Sequence, residues 1–213
     1  MLPTLRTARL ILRPAHADDV APLWRLWRSP EERRYLWDDR EILQAEAAQV
    51  VEDLLALAPY GMGLWVVERP TAGEATPDDA SPPVPIGCAA LSPASTTAQF
   101  EPAIAGLVEP LVALAPSQWG RGFAAEVLAA LVSYAFESLE VAELAGVTDV
   151  PNTASDRMLR RLGFVPFSEV PGPRCPMRIC RLARPPSLPS PESAPQPRPG
   201  AGLAPLDSPP PPL

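Results

Sequence analysis

The sequence predicts a mixed α/β domain built on one central sheet. Short strand-like runs, either alternating or continuously apolar, are separated by longer segments whose apolar residues recur every three or four positions. In chain order these patterns give a strand, two helices, three strands, a helix, a strand, a helix and two strands, which indicates a sheet flanked by about four helices. The 213 residues, 46% of them hydrophobic, suffice for one such domain with extensions.

The N-terminal part predicts one strand and two helices. Residues 9–13 (RLILR) are short and largely apolar, as expected of a strand. Two acidic pairs are expected to cap helices. Asp18-Asp19 precedes apolar residues at helical spacing through Trp27, and Asp38-Asp39 precedes an apolar stripe over residues 43–58.

The remaining elements alternate along the chain. Residues 64–68, 86–91 and 107–115 predict three strands, which would form an antiparallel meander if the loops between them reverse the chain. The C-terminal part then predicts, in order, a helix over 122–139, a strand over 143–148, a helix over 154–162, and strands over 165–169 and 177–182.

Proline marks the limits of the predicted domain. Twelve of the 31 prolines fall in residues 185–213, a segment with almost no large apolar side chains, so we expect a disordered tail there. Residues 69–85 combine proline, glycine and acidic residues and predict a surface loop between two strands. The domain is therefore predicted over residues 1–184.

Composition excludes several classes of function. A formal charge of −7 argues against nucleic-acid binding, which needs many cations to neutralise phosphates. All 18 basic residues are arginine, so chemistry that requires a catalytic lysine is excluded, and His16 as the only histidine makes a histidine-rich metal site or a serine-histidine-aspartate triad untenable. No run approaches the roughly 20 apolar residues of a membrane span.

The three cysteines predict a reducing compartment. Cys88, Cys175 and Cys180 are odd in number and lack Cys-x-x-Cys spacing, which favours reduced thiols over a disulfide framework. The first residues are interrupted by Arg6, Arg9 and Arg13 and show no signal-peptide core. We therefore expect a cytoplasmic protein.

One strand-to-helix junction carries the most informative pattern. The apolar residues 111–115 run into the segment Trp119-Gly120-Arg121-Gly122-Phe123-Ala124, which opens the predicted helix 122–139. Glycine lets backbone approach a ligand closely, and unpaired N–H groups at a helix start attract an anion such as pyrophosphate. A simple capping turn is the alternative. The dinucleotide-binding fingerprint is not matched, because alanine stands at its third glycine and no acidic residue follows a parallel crossover about 20 residues later.

A second stretch favours an anion-binding site over a simple capping turn at the glycine segment. Asn152 follows a predicted strand, Ser155 comes three residues later, and Gly163-Phe164 ends the next helix. With both stretches present, residues 5–182 resemble the GNAT superfamily of acyl-CoA-dependent N-acyltransferases. Trp119 replaces the first residue of that family's Q/R-x-x-G-x-G/A pattern, and the N-terminal run 7–14 is most similar to the branch of ribosomal-protein alanine and serine N-terminal acetyltransferases, which also holds small-amine acetyltransferases.

The resemblance implies a fold and a binding site. It implies a mixed, mostly antiparallel sheet whose strands splay apart at the acetyl-CoA site, with acetyl-CoA as co-substrate and no metal. The strand before the glycine turn would carry a bulge whose free amides bind the pantetheine arm and polarise the thioester carbonyl. The implied contacts are the amides of Val112 and Leu114, the pyrophosphate site at Trp119, Gly120, Arg121, Gly122, Phe123 and Ala124, and Asn152 on the pantetheine arm, with a helix cap as the alternative role of Asn152.

The implied reaction is direct attack of an amine on acetyl-CoA, and two residues are candidates for its proton transfers. Glu109 resembles the acidic position that accepts the amine proton in several members of the family, and a solvated strand-end carboxylate is its alternative. The departing thiolate needs a donor, for which many members use a tyrosine where this chain has Leu159. That leaves Ser155, whose alternative is an ordinary helix hydroxyl.

The acceptor is not specified by the sequence. The resemblance implies a primary amine, on a peptide or protein N-terminus or on a small molecule, and it allows a homodimer. It also implies an acceptor site near a segment rich in aromatic and charged residues, which would equally suit a small core: Trp24, Trp27, Arg33, Arg34, Tyr35, Trp37, Asp38 and Asp39. Two other functions stay open: transfer of a longer acyl group, and an inactive CoA-binding regulatory module.

Overall fold

One eight-stranded sheet and five α-helices make up the part of the chain that the computed structural model describes, residues 2–70 and 84–186. Most of the predicted loop 69–85 and nearly all of the predicted tail 185–213 lie outside the described residues. The elements are β1 Leu5–Arg6, β2 Ile11–Pro14, α1 Val20–Trp27, α2 Pro30–Leu36, α3 Gln44–Leu55, β3 Gly63–Arg69, β4 Val84–Pro93, β5 Val108–Leu114, α4 Phe123–Glu137, β6 Glu143–Asp149, α5 Thr153–Arg161, β7 Val165–Val170 and β8 Met177–Ala183.

The sheet is antiparallel except at its centre. Its strand order is β1-β2-β3-β4-β5-β6-β8-β7, and β5 and β6 are the parallel neighbours. These two strands pair only at Val108 and Leu144, near their beginnings, and then diverge. The mixed, mostly antiparallel sheet with splayed strands is therefore confirmed, and the splay leaves a gap beside the second half of β5.

Each face of the sheet carries its own core. Helix α4 packs on one face through Val127, Leu128 and Leu131, which join buried residues of β2, β3 and β5. Helices α1 and α3 pack on the opposite face through Trp27 and Val51, against buried residues of β3, β4 and β5. Because strand side chains alternate between faces, β5 contributes to both cores and lies between the two helical layers.

The N-terminal helices differ from the sequence prediction. A third helix, α2, follows α1 directly; Ser29 caps it by accepting the Glu32 N–H at 3.4 Å, and Pro30 occupies its first turn. The predicted cap at Asp38-Asp39 is wrong. Both residues adopt left-handed conformations, with φ of 54° and 64°, and α3 begins only at Gln44.

Candidate active site

The backbone of β5 presents donors to the gap. The N–H of Ala115 donates to the carbonyl of Ile86 at 2.8 Å, so alternate residues of β5 turn their N–H groups toward β4. Val112 and Leu114 occupy the intervening positions, and their N–H groups face the side of β6. Pro110 occupies a third such position. Its lack of an N–H therefore removes no hydrogen bond to β4.

The bulge expected in this strand is absent from the described pairing. β4 and β5 stay in register from Val108 to Leu114, without the shift that marks a bulge elsewhere in this sheet. The predicted bulge is therefore wrong. Since β6 separates from β5 after Val108, the splay itself leaves the amides of Val112 and Leu114 without a neighbouring strand.

Trp119 links the end of β5 to the turn that follows. Its indole N–H donates to the Leu114 carbonyl at 2.7 Å, while the side chain stays half-exposed. A single 3₁₀ turn, Pro116–Gln118, lies between them. The Leu114 carbonyl is therefore hydrogen-bonded to Trp119, and the Leu114 amide N–H still faces the gap.

The glycine turn directs backbone amides outward at the start of α4. Gly120 and Gly122 have φ of 75° and 78°, a region that favours glycine. The first intrahelical bond runs from the Glu126 N–H to the Gly122 carbonyl, so the amides of Phe123, Ala124 and residue 125 have no partner within the helix. The Phe123 side chain is buried in the core, so only the backbone of this residue is available to a ligand.

Glu126 fixes the first turn of α4 to the N-terminal strands. Its carboxylate accepts from the Thr7 hydroxyl, from the Arg9 backbone N–H at 2.9 Å and from Arg9 Nε at 2.6 Å. Burial raises the pKa of Glu126, but these hydrogen bonds outweigh it and hold the pKa below its ordinary value. Arg9 Nη1 also donates to the Arg121 carbonyl at 3.0 Å, inside the glycine turn.

Glu109 is a part-buried carboxyl on the α1–α3 side of β5. Its Oε2 accepts from the Thr97 hydroxyl at 3.2 Å, and no arginine among the described residues forms an ion pair with it. Burial raises the pKa of Glu109 to about 7, an effect that the Thr97 hydrogen bond partly offsets. A carboxyl with this pKa exchanges protons at neutral pH.

Asn152 and Ser155 lie at the start of α5, just beyond the end of β6. Asn152 is the N-cap: its Oδ1 accepts the Ser155 N–H at 3.2 Å, so the capping role holds. That bond uses the amide oxygen and does not consume the Nδ2 donor. Leu159, where many GNAT members carry a tyrosine, is buried in the core on the α4 side of the sheet.

Glu32 on α2 is a carboxyl that sequence reasoning missed. It is only 7% exposed, and α2 packs against β5. Burial raises the pKa of Glu32 to about 7, an effect reinforced by the nearby charge of Glu31. No helix was predicted over these residues, so the burial of this glutamate was not predicted either.

The buried Glu32 carboxyl gives a testable pH dependence of stability. The folded pKa of Glu32 lies above its ordinary 4.5. The stability that the protonated carboxyl contributes is therefore complete below pH 4.5 and is lost as pH rises through about 7. Glu32→Gln should therefore raise the free energy of unfolding at pH 8 by up to about 3 kcal/mol and change it little at pH 4.5. Urea titrations at both pH values measure this, with Glu52→Gln on the exposed face of α3 as the control. Equal effects of Glu32→Gln at the two pH values would contradict the assignment.

Aromatic residues of the N-terminal helices mostly fill the core. Trp27 is buried and donates its indole N–H to the Cys88 sulfur at 3.4 Å, and the Trp24 indole N–H donates to the Ile42 carbonyl at 2.9 Å. Core packing, and not an acceptor site, therefore accounts for the positions of Trp24 and Trp27.

The last hairpin reaches the N-terminal helices. Arg174, in the loop between β7 and β8, donates to the Arg34 carbonyl of α2 at 2.7 Å and lies 3.5 Å from the Asp149 carboxylate at the end of β6.

Within residues 2–70 and 84–186, no group of three or more His, Cys, Asp or Glu side chains is arranged to hold a metal ion. In the same residues, no helix is long and apolar enough to cross a membrane.

Two curated relatives are similar over most of the chain. The uncharacterized N-acetyltransferase YoaA of Bacillus subtilis is 28% identical over 165 residues, which cover 77% of this chain and 84% of the relative. The FsC-acetyl coenzyme A-N(2)-transacetylase of Aspergillus fumigatus is 31% identical over 164 residues, 76% of this chain and 65% of the relative.

The fold is shared with solved acetyltransferases. The ribosomal-protein acetyltransferase RimL in complex with coenzyme A superimposes with a TM-score of 0.62 at 17% identity, over 85% of this chain and 98% of that structure. The model of the acetyltransferase (GNAT) domain matches residues 9–165, more than half of the chain, including the glycine turn and both ends of the gap. The chain belongs to the GNAT family and is an acetyltransferase.

Proposed function

We propose that this protein transfers the acetyl group of acetyl-CoA to a primary amine, on a small molecule or at a peptide or protein N-terminus. The amine would attack the thioester carbonyl directly, through a tetrahedral intermediate. The observation that carries the proposal is the sequence of features along one edge of the gap: outward amides on β5, the Trp119 contact, the glycine turn and the start of α4.

The pyrophosphate would bind over residues 119–124. The unpaired amides at the start of α4 and the positive end of the helix dipole favour an anion there. Gly120 and Gly122 keep side chains out of that position, and the exposed Arg121 side chain adds a cation. Trp119 would contribute by holding the turn against the end of β5.

The pantetheine arm would lie in the gap between β5 and β6. The amides of Val112 and Leu114 are donors for the arm and for the thioester carbonyl, whose oxygen gains negative charge as the amine attacks. Across the gap, Asn152 would donate from Nδ2 to the arm while its Oδ1 caps α5. Donors fixed by two different elements would hold the thioester at a defined depth.

Glu109 would accept the proton of the attacking amine, directly or through water. Its pKa of about 7 makes the carboxylate available at neutral pH and still basic enough to take a proton. The acceptor would approach from the α1–α3 side of the sheet, where α2 and the Arg174 loop meet. The buried carboxyl of Glu32 on the same side favours a cationic acceptor.

Ser155 would donate a proton to the departing thiolate. Ser155→Ala should lower kcat by about 10- to 100-fold and leave the KM for acetyl-CoA nearly unchanged, since the hydroxyl acts only as the thiolate leaves. The capping bond to Asn152 uses the backbone N–H of Ser155, so the substitution leaves α5 intact. Ser155→Thr, which keeps a hydroxyl, is the matched variant and should retain most of kcat. An undiminished kcat in Ser155→Ala would assign the proton to water.

Calorimetric titration with acetyl-CoA and free CoA, followed by a thiol-release screen of amines, tests the proposed function. We expect binding of both ligands and thiol release with at least one amine. Binding without thiol release for any amine would favour the regulatory module, and faster turnover with a longer acyl-CoA would assign a different donor. Absence of binding at millimolar acetyl-CoA would overturn the proposal.

We also propose that the protein acts in the cytoplasm. Cys88 and Cys180 are buried and unpaired, and Cys175 is unpaired in the loop between β7 and β8. Reduced thiols of this kind suit a reducing compartment.

A further inference from the structure

The turn between β1 and β2 reaches across the molecule to the glycine turn. Arg9 bonds to Glu126 through Nε and Nη2, each at 2.6 Å, and its Nη1 donates to the Arg121 carbonyl at 3.0 Å. The guanidinium also lies 4.5 Å from the centre of the Phe123 ring. Thr7 adds a hydroxyl bond to Glu126, so the whole turn is fixed to the start of α4.

The Arg9 contact sets the direction of one amide. The peptide bond between Arg121 and Gly122 is trans, so its carbonyl and its N–H point in opposite directions. Because Arg9 holds the Arg121 carbonyl, the Gly122 N–H points away from the guanidinium, on the opposite side of the exposed turn. That is the orientation an anion at the start of α4 requires.

Arg9 also compensates a charge that would repel a phosphate. The Glu126 carboxylate lies in the first turn of α4, within the same few residues as the outward amides. An unpaired carboxylate there would oppose the binding of pyrophosphate. The two-point contact with Arg9 neutralises it, and the Glu126 side chain remains only 17% exposed.

We propose that Arg9 is a positioning residue of the acetyl-CoA site, which orients the glycine turn through the Arg121 carbonyl and neutralises Glu126 next to the pyrophosphate. This inference rests on the proposed function. Arg9 touches no reacting atom, so its effect belongs to the affinity for the nucleotide end of CoA. The thioester end lies at the gap beside β5 and is not in contact with Arg9.

The test compares two acetyl donors in the full chain. Arg9→Ala should weaken the binding of acetyl-CoA by about tenfold or more, because a charge-assisted contact is lost and a carboxylate is uncovered. Turnover of S-acetyl-pantetheine, which lacks the pyrophosphate, should stay within about twofold of the wild-type kcat/KM. Adding Glu126→Gln to Arg9→Ala should recover part of the lost affinity, since it removes the uncovered charge but does not restore the hold on the Arg121 carbonyl.

Arg28→Ala is the matched control. Arg28 likewise pairs with a glutamate, Glu41 at 3.0 Å, and lies over an aromatic ring, that of Trp24 at 4.9 Å, and neither contact involves the glycine turn. It should leave acetyl-CoA binding unchanged. If Arg9→Ala unfolds, Arg9→Lys serves in its place, because a lysine keeps the charge but cannot reach Glu126 and the Arg121 carbonyl together.

The outcomes separate this inference from the proposed function. Wild-type affinity of Arg9→Ala for acetyl-CoA, or an equal loss with S-acetyl-pantetheine, would overturn the role of Arg9 while the acetyl-CoA site stands. Failure of the wild-type chain to bind acetyl-CoA would instead overturn the proposed function.

Discussion

Gly122→Val should weaken acetyl-CoA binding by about 100-fold, the loss expected from two charge-assisted hydrogen bonds. Gly122 has a φ of 78°, and a β-branched residue there is strained. A return to negative φ would relieve the strain but turn the amides of the Arg121–Gly122 turn away from the proposed pyrophosphate site. Calorimetry with acetyl-CoA measures the change directly.

The control for Gly122 is another glycine with the same backbone conformation. Gly106 has a φ of 83°, and an added Cβ there would meet nothing within 4 Å; at Gly122 it would meet only the Arg9 guanidinium, at 3.6 Å. Gly106→Val therefore carries a similar strain outside the glycine turn and should cost stability but not affinity. If Gly122→Val and Gly106→Val bind acetyl-CoA with equal affinity, the pyrophosphate does not bind at the glycine turn.

Glu109→Gln should lower kcat/KM for the amine by roughly 10²- to 10³-fold and leave acetyl-CoA affinity unchanged, as expected for loss of a general base. In the wild-type enzyme the rate should rise with pH through about 7, because only the ionised carboxylate accepts a proton. The glutamine variant should lack that rise. A pH profile of kcat/KM with one fixed amine measures both effects.

Thr97 supplies the matched variants for the proton acceptor. Its hydroxyl donates to Glu109 at 3.2 Å and lowers the pKa of that carboxyl. Thr97→Val should therefore move the rise in rate to higher pH, whereas Thr97→Ser, which keeps the hydroxyl, should leave it in place. Since the amine is the same in every assay, its own titration cancels. If neither Glu109→Gln nor Thr97→Val changes the pH profile of kcat/KM, another group accepts the proton.

Local patterns predicted the elements that form the site. The glycine turn before α4 and the asparagine cap of α5 were predicted because both depend on neighbouring residues: the left-handed φ of Gly120 and Gly122, and the bond from Asn152 to the Ser155 N–H. The same local reasoning failed at Asp38-Asp39, because an acidic pair suits a left-handed turn as well as a helix cap. It also missed α2, although Ser29 and Glu32 fit the spacing of a capping box.

The resemblance predicted that the amides of Val112 and Leu114 are free, but for a reason that the structure revises. Val112 and Leu114 do face the gap, yet β5 pairs with β4 without a bulge. The alternation along the strand and the separation of β6 leave both amides unpaired. Position along a strand can be inferred from a motif, whereas strand divergence depends on what packs on either side of the sheet.

The sequence by itself determined the fold class, the family and the positions of the family's two motifs, because periodicity, turn chemistry and motif spacing are properties of nearby residues. Only the tertiary structure decided which distant groups meet. It placed Arg9 on Glu126, brought Glu32 near Trp119, and buried Glu32 and Glu109 enough to raise their pKa to about 7. Burial and charge pairing depend on distances in space, and sequence separation does not fix those distances.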